Sequence, residues 1–281
     1  MANYDAIIQE LNNSQKSNTI LTGALSGIER LRDEIIVALV DYKGFSVTIP
    51  LKEMMVELKR PDGQSNDKYN ERCIRILNKM LGADIDFIIC GVDEEEKAAV
   101  GSRRTAMLQK RHHNFLDDKP HIYAGCAAEA RIIAVSQMSV RVEVCGVEAT
   151  VKIQHLSWGY LDDARDVYNV GDSMQVKVTQ VYGETVEDIR IVVDVRSLSA
   201  DSNRDNLDAL KLQSNYIGTV NGAKDRAIFV NLVNGAWGIA FKCMDSRKPV
   251  KGDKVVFIPT RKDHKGGVAI GLISRIVNKG R

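Results

Sequence analysis

In the last third of the chain two phenylalanines, Phe229 and Phe241, lie near Trp237, with Lys224, Arg226 and Lys242 beside them. Rings interleaved with cations are the equipment for holding a single-stranded polyanion. A ring stacks on a base for roughly 1–3 kcal/mol, and each Lys or Arg that meets a phosphate makes binding fall with salt. More positive charge follows in Arg247-Lys248, Lys251, Lys254, Arg261-Lys262 and Lys265. Residues 213–281 hold 13 Lys+Arg against 4 Asp+Glu, a net of +9, although the whole chain carries only +2. Residues 120–196 hold 7 against 11, a net of −4, and residues 14–115 hold 16 against 15, a net of +1. Charge gathered in one third points to a polyanionic partner. The same residues fit a second arrangement, in which both phenylalanines are core and the lysines merely solvate the surface.

Catalytic chemistry finds little support. There is no Gly-x-x-x-x-Gly-Lys phosphate loop and no Gly-x-Ser-x-Gly elbow. His112-His113 is an adjacent pair with no obvious third ligand, so a metal is not expected. Glu94-Glu95-Glu96 and Asp117-Asp118 read as solvated turns. The five cysteines, Cys73, Cys90, Cys126, Cys145 and Cys243, form no Cys-x-x-Cys pair. They read as buried free thiols in a reducing compartment. No cofactor is expected and the protein reads as non-enzymatic. An N-terminus without an apolar signal core, and no run of about 18 apolar residues, lead to the expectation of a cytoplasmic protein without membrane contact.

The elements that would carry these side chains are short strands. Val140, Val142 and Val144 alternate with Ser139, Arg141 and Glu143, as a half-buried strand requires. A turn at Cys145-Gly146 leads to a second strand, Ala149 to Ile153. After a polar stretch with His155, Trp158 and Tyr160, Val170-Gly171-Asp172 turns into a third strand with Met174, Val176 and Val178 on one face. The Gly171-Asp172 turn and its apolar strand recur as Gly82-Ala83-Asp84 before Ile85, Phe87 and Ile89, and as Gly252-Asp253 before Val255 and Phe257. A period of about 80–90 residues reads as three small domains.

Around these strands a helix is expected over Asn3–Asn12, with Tyr4, Ile7, Ile8 and Leu11 on one stripe, then a polar linker from Ser14 to Thr19. Strands are expected near Leu21–Leu25, Glu34–Tyr42 and Phe45–Ile49. Next come a turn at Arg60-Pro61-Asp62-Gly63, a helix over Asp67–Met80 and a basic helix from Ser102-Arg103-Arg104 toward Phe115. Ser199–Asp208 reads as a linker. Ile217–Val220, Ala227–Leu232 and Gly238–Phe241 read as the opening strands of the last domain.

Gly146-Val147-Glu148, Lys152-Ile153, Leu156-Ser157-Trp158 and Tyr168-Asn169-Val170-Gly171-Asp172, followed by Val176-Lys177-Val178, resemble the repeat of bacterial ribosomal protein S-one. Tyr42-Lys43-Gly44-Phe45 through Ile49-Pro50 resembles the same repeat in the first domain, and the last domain is the most divergent. The resemblance implies a mainly β chain of three tandem OB-fold domains, five-stranded antiparallel barrels with short helices. The expected division is an N-terminal helix and linker at 1–18, repeat A with an inserted helix at 19–116, and repeat B at 117–198. A linker at 199–212 and the basic repeat C at 213–281 complete it.

The family's stacking platform has an aromatic on strand two, another three residues later, and a histidine on strand three. On that pattern Arg226 and Phe229 take the two aromatic positions in C, and Phe241 takes the histidine's, with Trp237, Lys224, Lys242, Arg261 and Lys262 around them. In B, Met138 and Arg141 replace the aromatics and Lys152 the histidine, so Arg141 and Lys152 are left to hold phosphate. Trp158 is expected to plug the end of barrel B. In A, Leu39 and Pro50 fall on the platform, and Tyr42, Lys43, Arg103 and Arg104 remain as contacts. The resemblance implies a single-stranded RNA-binding protein that docks on the ribosome or another protein through A and B. The alternatives are a scaffold built of OB repeats for protein contacts, and a single-stranded DNA-binding accessory protein.

Overall fold

The computed structural model describes residues 2–31, 35–56, 58, 63, 65–117 and 119–278. The architecture is mainly β, in three five-stranded sheets that follow one another along the chain. The first is a closed barrel of β1 (Leu21–Arg30), β2 (Ile36–Tyr42), β3 (Phe45–Pro50), β4 (Asp84–Asp93) and β5 (Ala98–Ser102) in the order β1-β2-β3-β5-β4. The second comprises β6 (Ala127–Ser136), β7 (Ser139–Val144), β8 (Val147–Lys152), β9 (Ser173–Tyr182) and β10 (Arg190–Asp194), with the strands in the equivalent order but open between β8 and β10. The third is a closed barrel of β11 (Tyr216–Lys224), β12 (Ala227–Leu232), β13 (Trp237–Cys243), β14 (Lys254–Asp263) and β15 (Val268–Asn278). In both closed barrels the third strand runs parallel to the fifth, β3 with β5 and β13 with β15. This is the OB topology. We call the three sheets A, B and C.

The recurring glycine turn has one physical cause in all three. Gly82, Gly171 and Gly252 sit at φ of +85°, +93° and +92°, a region that costs other residues strain. There, their N–H groups donate to the carbonyls of Leu25, Ile132 and Val220 at 2.9, 2.9 and 2.8 Å. The N–H groups of Leu25, Ile132 and Val220 donate back to the carbonyls of Ala83, Asp172 and Asp253. Directly after these residues each first strand carries a bulge, which bends the sheet toward closure.

The residues group into two compact units, 1–150 with 165–193, and 151–164 with 194–281. In the first unit, helix α1 (Ala2–Ser17) lays Ile7 and Leu11 into the core of barrel A. It runs through the stretch expected as a linker because Ser14 is buried. Its hydroxyl donates to the Thr19 carbonyl and accepts from the Ile89 N–H, so the last turn is tied to β4. Helix α2 (Asn66–Lys79) begins at a Ser65 cap and buries Cys73 and Leu77, with Met80 just beyond. Helix α3 (Arg103–Arg111) is capped by the Ser102 hydroxyl and ends in a π turn, His112–Leu116. The second strand is described from Ile36, and its expected start at Glu34 lies outside the described residues, as do Arg60, Pro61 and Asp62 of the expected turn, and Asp118.

In the second unit the core is Val220, Val230, Leu232, Ala240, Val255, Phe257 and Ile273. Residues 199–212, expected as a linker, hold helix α4 (Ala200–Asp208). Leu207 and Leu210 pack into that core, and Asn203 donates to the Gly267 carbonyl at 3.0 Å. Burial of those two leucines outweighs the polar composition that suggests a linker. All five cysteines are free; Cys73 and Cys126 are buried, while Cys90 is exposed. Among the described residues no helix is long and apolar enough to cross a membrane.

Candidate nucleic-acid interface

In barrel C the pleat sorts the side chains. Val230, Leu232 and Ala240 point inward and are buried, so Phe229, Trp237, Ile239 and Phe241 fall on the outer face of β12 and β13. Phe229 pairs across with Ile239, and Asn231 with Trp237. Phe241 is 61% exposed, with Lys242 exposed next to it. Lys224, Arg226 and Arg261 are also exposed, while Lys262 is half-buried and donates to the Asp208 carbonyl at 2.8 Å. Neither phenylalanine is in the core.

Phe229 is nevertheless covered. The Tyr160 ring lies on it, centroids 4.1 Å apart and planes 7° apart. Tyr160 belongs to the segment Trp158-Gly159-Tyr160, which lies along the same face. Gly159 presses on the Trp237 ring so closely that a Cβ there would fall 2.3 Å from it. Trp158 is against Gly267, its indole N–H donates to the Arg196 carbonyl at 3.0 Å, and the Arg196 guanidinium stacks over its ring at 4.4 Å. Trp158, expected as a plug of barrel B, is instead seen seated on barrel C, where the glycine at 267 opens a flat place for it.

Barrel B uses the equivalent face differently. Arg141, Glu143 and Glu148 stand on its outer surface, and helix α3 lies over them. Arg103, expected as a phosphate contact, is wholly buried there: its guanidinium donates to Glu143 at 2.8 Å, to Glu148 at 2.7 Å and to the Met54 carbonyl at 2.9 Å. No phosphate reaches it. Arg131 bridges Glu143 at 2.8 Å and Asp86 at 2.9 and 2.5 Å, and Lys110 reaches Asp86 at 2.5 Å. Arg141 is mostly buried and lies 2.9 Å from Glu148, so its role is internal too.

Burial opposes the charged form of Asp86, but the Arg131 and Lys110 cations outweigh it and hold the carboxyl at about 2. Glu143 is likewise held low by Arg103, Arg131 and Lys110 against its burial. The close approach of α3 depends on Gly146, where a Cβ would fall 2.5 Å from the Met107 carbonyl oxygen. Arg111 donates to the Gly146 carbonyl at 2.7 Å. The sequence marks α3 only as basic; that Arg103 faces inward follows from carboxylates far along the chain. Met138 and Lys152 remain exposed.

In barrel A, Tyr42 is buried, edge-on to Phe87, and its hydroxyl donates to Glu10 at 2.7 Å. It is core, a correction to its expected role, because it sits at an inward position of β2. Lys43 is exposed and pairs with Glu10 at 2.5 Å, and Arg104 is half-buried and pairs with Glu187 at 2.6 Å. Pro50 lines a cleft of about 600 Å³ with Tyr69, Lys52, Arg104 and Arg190. Among the described residues no group of three His, Cys, Asp or Glu is placed to hold a metal.

Residues 124–189 match the family model described as S1 RNA binding domain. Small ribosomal subunit protein bS1 of Coxiella burnetii is 24% identical over 230 residues, 82% of this chain and 38% of that protein. A 4-hydroxy-3-methylbut-2-enyl diphosphate reductase of Clostridium acetobutylicum is 22% identical over 72% of this chain and 29% of its own length. The chain thus spans less than half the length of these curated relatives. A solved a/eIF2alpha–Dim2p–rRNA complex from Pyrococcus horikoshii is 16% identical over 31% of this chain and 60% of the other, and at a TM-score of 0.24 that likeness carries no argument.

Proposed function

We infer, from a chain whose residues 124–189 belong to the S1 RNA-binding domain family, that this protein is non-enzymatic and binds single-stranded RNA, chiefly through barrel C. One observation carries the reading: Phe241 presents an exposed ring on the outer face of the most basic barrel, with exposed Lys242 next to it in the chain. A base stacks on that ring, and Lys224, Arg226, Lys242 and Arg261 supply phosphate contacts at the rim. Lys152 of barrel B remains exposed for the same use, and half-buried Arg104 of repeat A reaches solvent beside its pair with Glu187. Lys43 is placed similarly beside Glu10. The reductase is matched over a minor part of its length, so its name lends no activity to this chain. The setting is cytoplasmic, and barrels A and B dock on the ribosome or another protein.

The buried Arg103–Glu143–Glu148 cluster favours a scaffolding role for B, since its outer face is already spent inside the molecule. Anisotropy titrations of labelled oligouridylate, single-stranded DNA and duplex at several salt concentrations decide between the readings. Salt-dependent binding strongest for RNA is expected. Absence of binding to all three below about 100 mM salt overturns the RNA reading in favour of the scaffold, and co-sedimentation with ribosomes tests the docking.

A further inference from the structure

The segment over barrel C has the chemistry of the ligand that barrel C is inferred to bind. It offers a planar ring, Tyr160, stacked nearly parallel on Phe229, and, one residue beyond it, the carboxylates Asp162 and Asp163. Ring plus anionic string is what a nucleotide presents. The contacts are shaped for close approach. A Cβ on Gly222 would meet the Tyr160 ring at 2.7 Å, one on Gly159 would meet Trp237 at 2.3 Å, and one on Gly267 would meet Trp158 at 2.4 Å. These glycines let the strap lie flat on the sheet.

Trp158 and Tyr160 are held unequally. Trp158 is clamped between Gly267 and the Arg196 guanidinium and hydrogen-bonded through its indole. Tyr160 is held by its stack on Phe229 and by an exposed hydrogen bond from its hydroxyl to Asp162 at 3.0 Å. Gly159 lies between the two. An anchored end, a glycine and a lightly held ring are the parts of a gate that opens at the Tyr160 side.

We propose that residues 158–163 are an autoinhibitory strap: Tyr160 fills the base-stacking place on Phe229, and single-stranded RNA gains that ring only by displacing it. The inference rests on the RNA reading above and adds that the full platform is closed in the free protein. Phe241, outside the strap, is where RNA first lands. Displacing Tyr160 then lengthens the stack from one ring to two. The exposed Asp162 carboxylate leaves with it, which removes negative charge from the phosphate track.

The chain has two tryptophans; Trp158 belongs to the strap and Trp237 lies against its Gly159, so intrinsic fluorescence reports its position in the full chain. The experiment compares wild type with Tyr160→Ala and Gly159→Ala for binding of fluorescein-labelled oligouridylate. Tyr160→Ala removes the competing ring. Gly159→Ala keeps it but drives a methyl group into Trp237. Both variants are expected to bind about 2- to 12-fold more tightly, the worth of one aromatic pair. Their tryptophan emission without RNA is expected to match that of RNA-bound wild type. Adding Phe229→Ala to Tyr160→Ala should abolish the gain. If wild type binds RNA and either single variant binds equally or more weakly, the strap proposal is overturned while the RNA reading stands. If neither wild type nor either variant binds, the RNA reading itself falls.

Discussion

Arg103→Met tests how the first unit is held together. Methionine keeps much of the stem but removes a guanidinium that is wholly buried and bonded to two carboxylates and a carbonyl. Removing one partner of a buried ion pair typically costs about 3–5 kcal/mol, because the other is left charged and dry. Here Glu143 retains Arg131 at 2.8 Å and Glu148 retains Arg141 at 2.9 Å. The low end, about 3 kcal/mol, is therefore expected. For a unit of this size about 1 kcal/mol moves Tm by 2–4 °C, so a fall of about 6–12 °C follows. The assay is far-UV circular dichroism during thermal and urea unfolding, because both tryptophans belong to the second unit and do not report on the first. A cycle with Glu148→Gln apportions the loss: coupling of about 1–3 kcal/mol is expected for residues in one network. A loss below about 1 kcal/mol in Arg103→Met, or no coupling, would refute the idea that this cluster fastens α3 to barrel B.

Asp86 makes the same unit acid-sensitive. Its folded value, about 2, lies below the ordinary 3.8, so its contribution is full above about pH 4 and is lost as pH falls toward 2. That contribution is about 2 kcal/mol; the urea midpoint of wild type should drop between pH 5 and pH 2.5 more than that of Asp86→Asn. Gly146→Ala should destabilise by about 2 kcal/mol or more, since it strains a residue at φ +85° and meets the Met107 carbonyl; an unchanged Tm would contradict the close approach of α3. Phe241→Ala should weaken RNA binding by roughly 5- to 150-fold and leave Tm nearly unchanged, because the ring is mostly exposed. Phe257→Ala should do the reverse, costing about 3–5 kcal/mol of stability from the centre of barrel C.

Local patterns made the barrels legible. Alternation in 140–144 and the glycine turns at 82, 171 and 252 are written within a few residues, because the pleat has a period of two and a φ of +85° to +93° favours glycine. The same holds for α2, whose apolar stripe matches the face it buries. Helix α4 was hidden because a polar composition masks the leucine that seats it, Leu207. The faces were not legible at all. Arg103 on a basic helix reads as solvated until β7 and β8 bring Glu143 and Glu148 to it, and Tyr42 reads as a surface aromatic until the register of β2 turns it inward. The sequence alone determined which residues are able to meet nucleic acid, through their chemistry. Tertiary structure decided which are free to, because covering a ring with Tyr160 or a cation with carboxylates depends on segments that only the folded chain brings together.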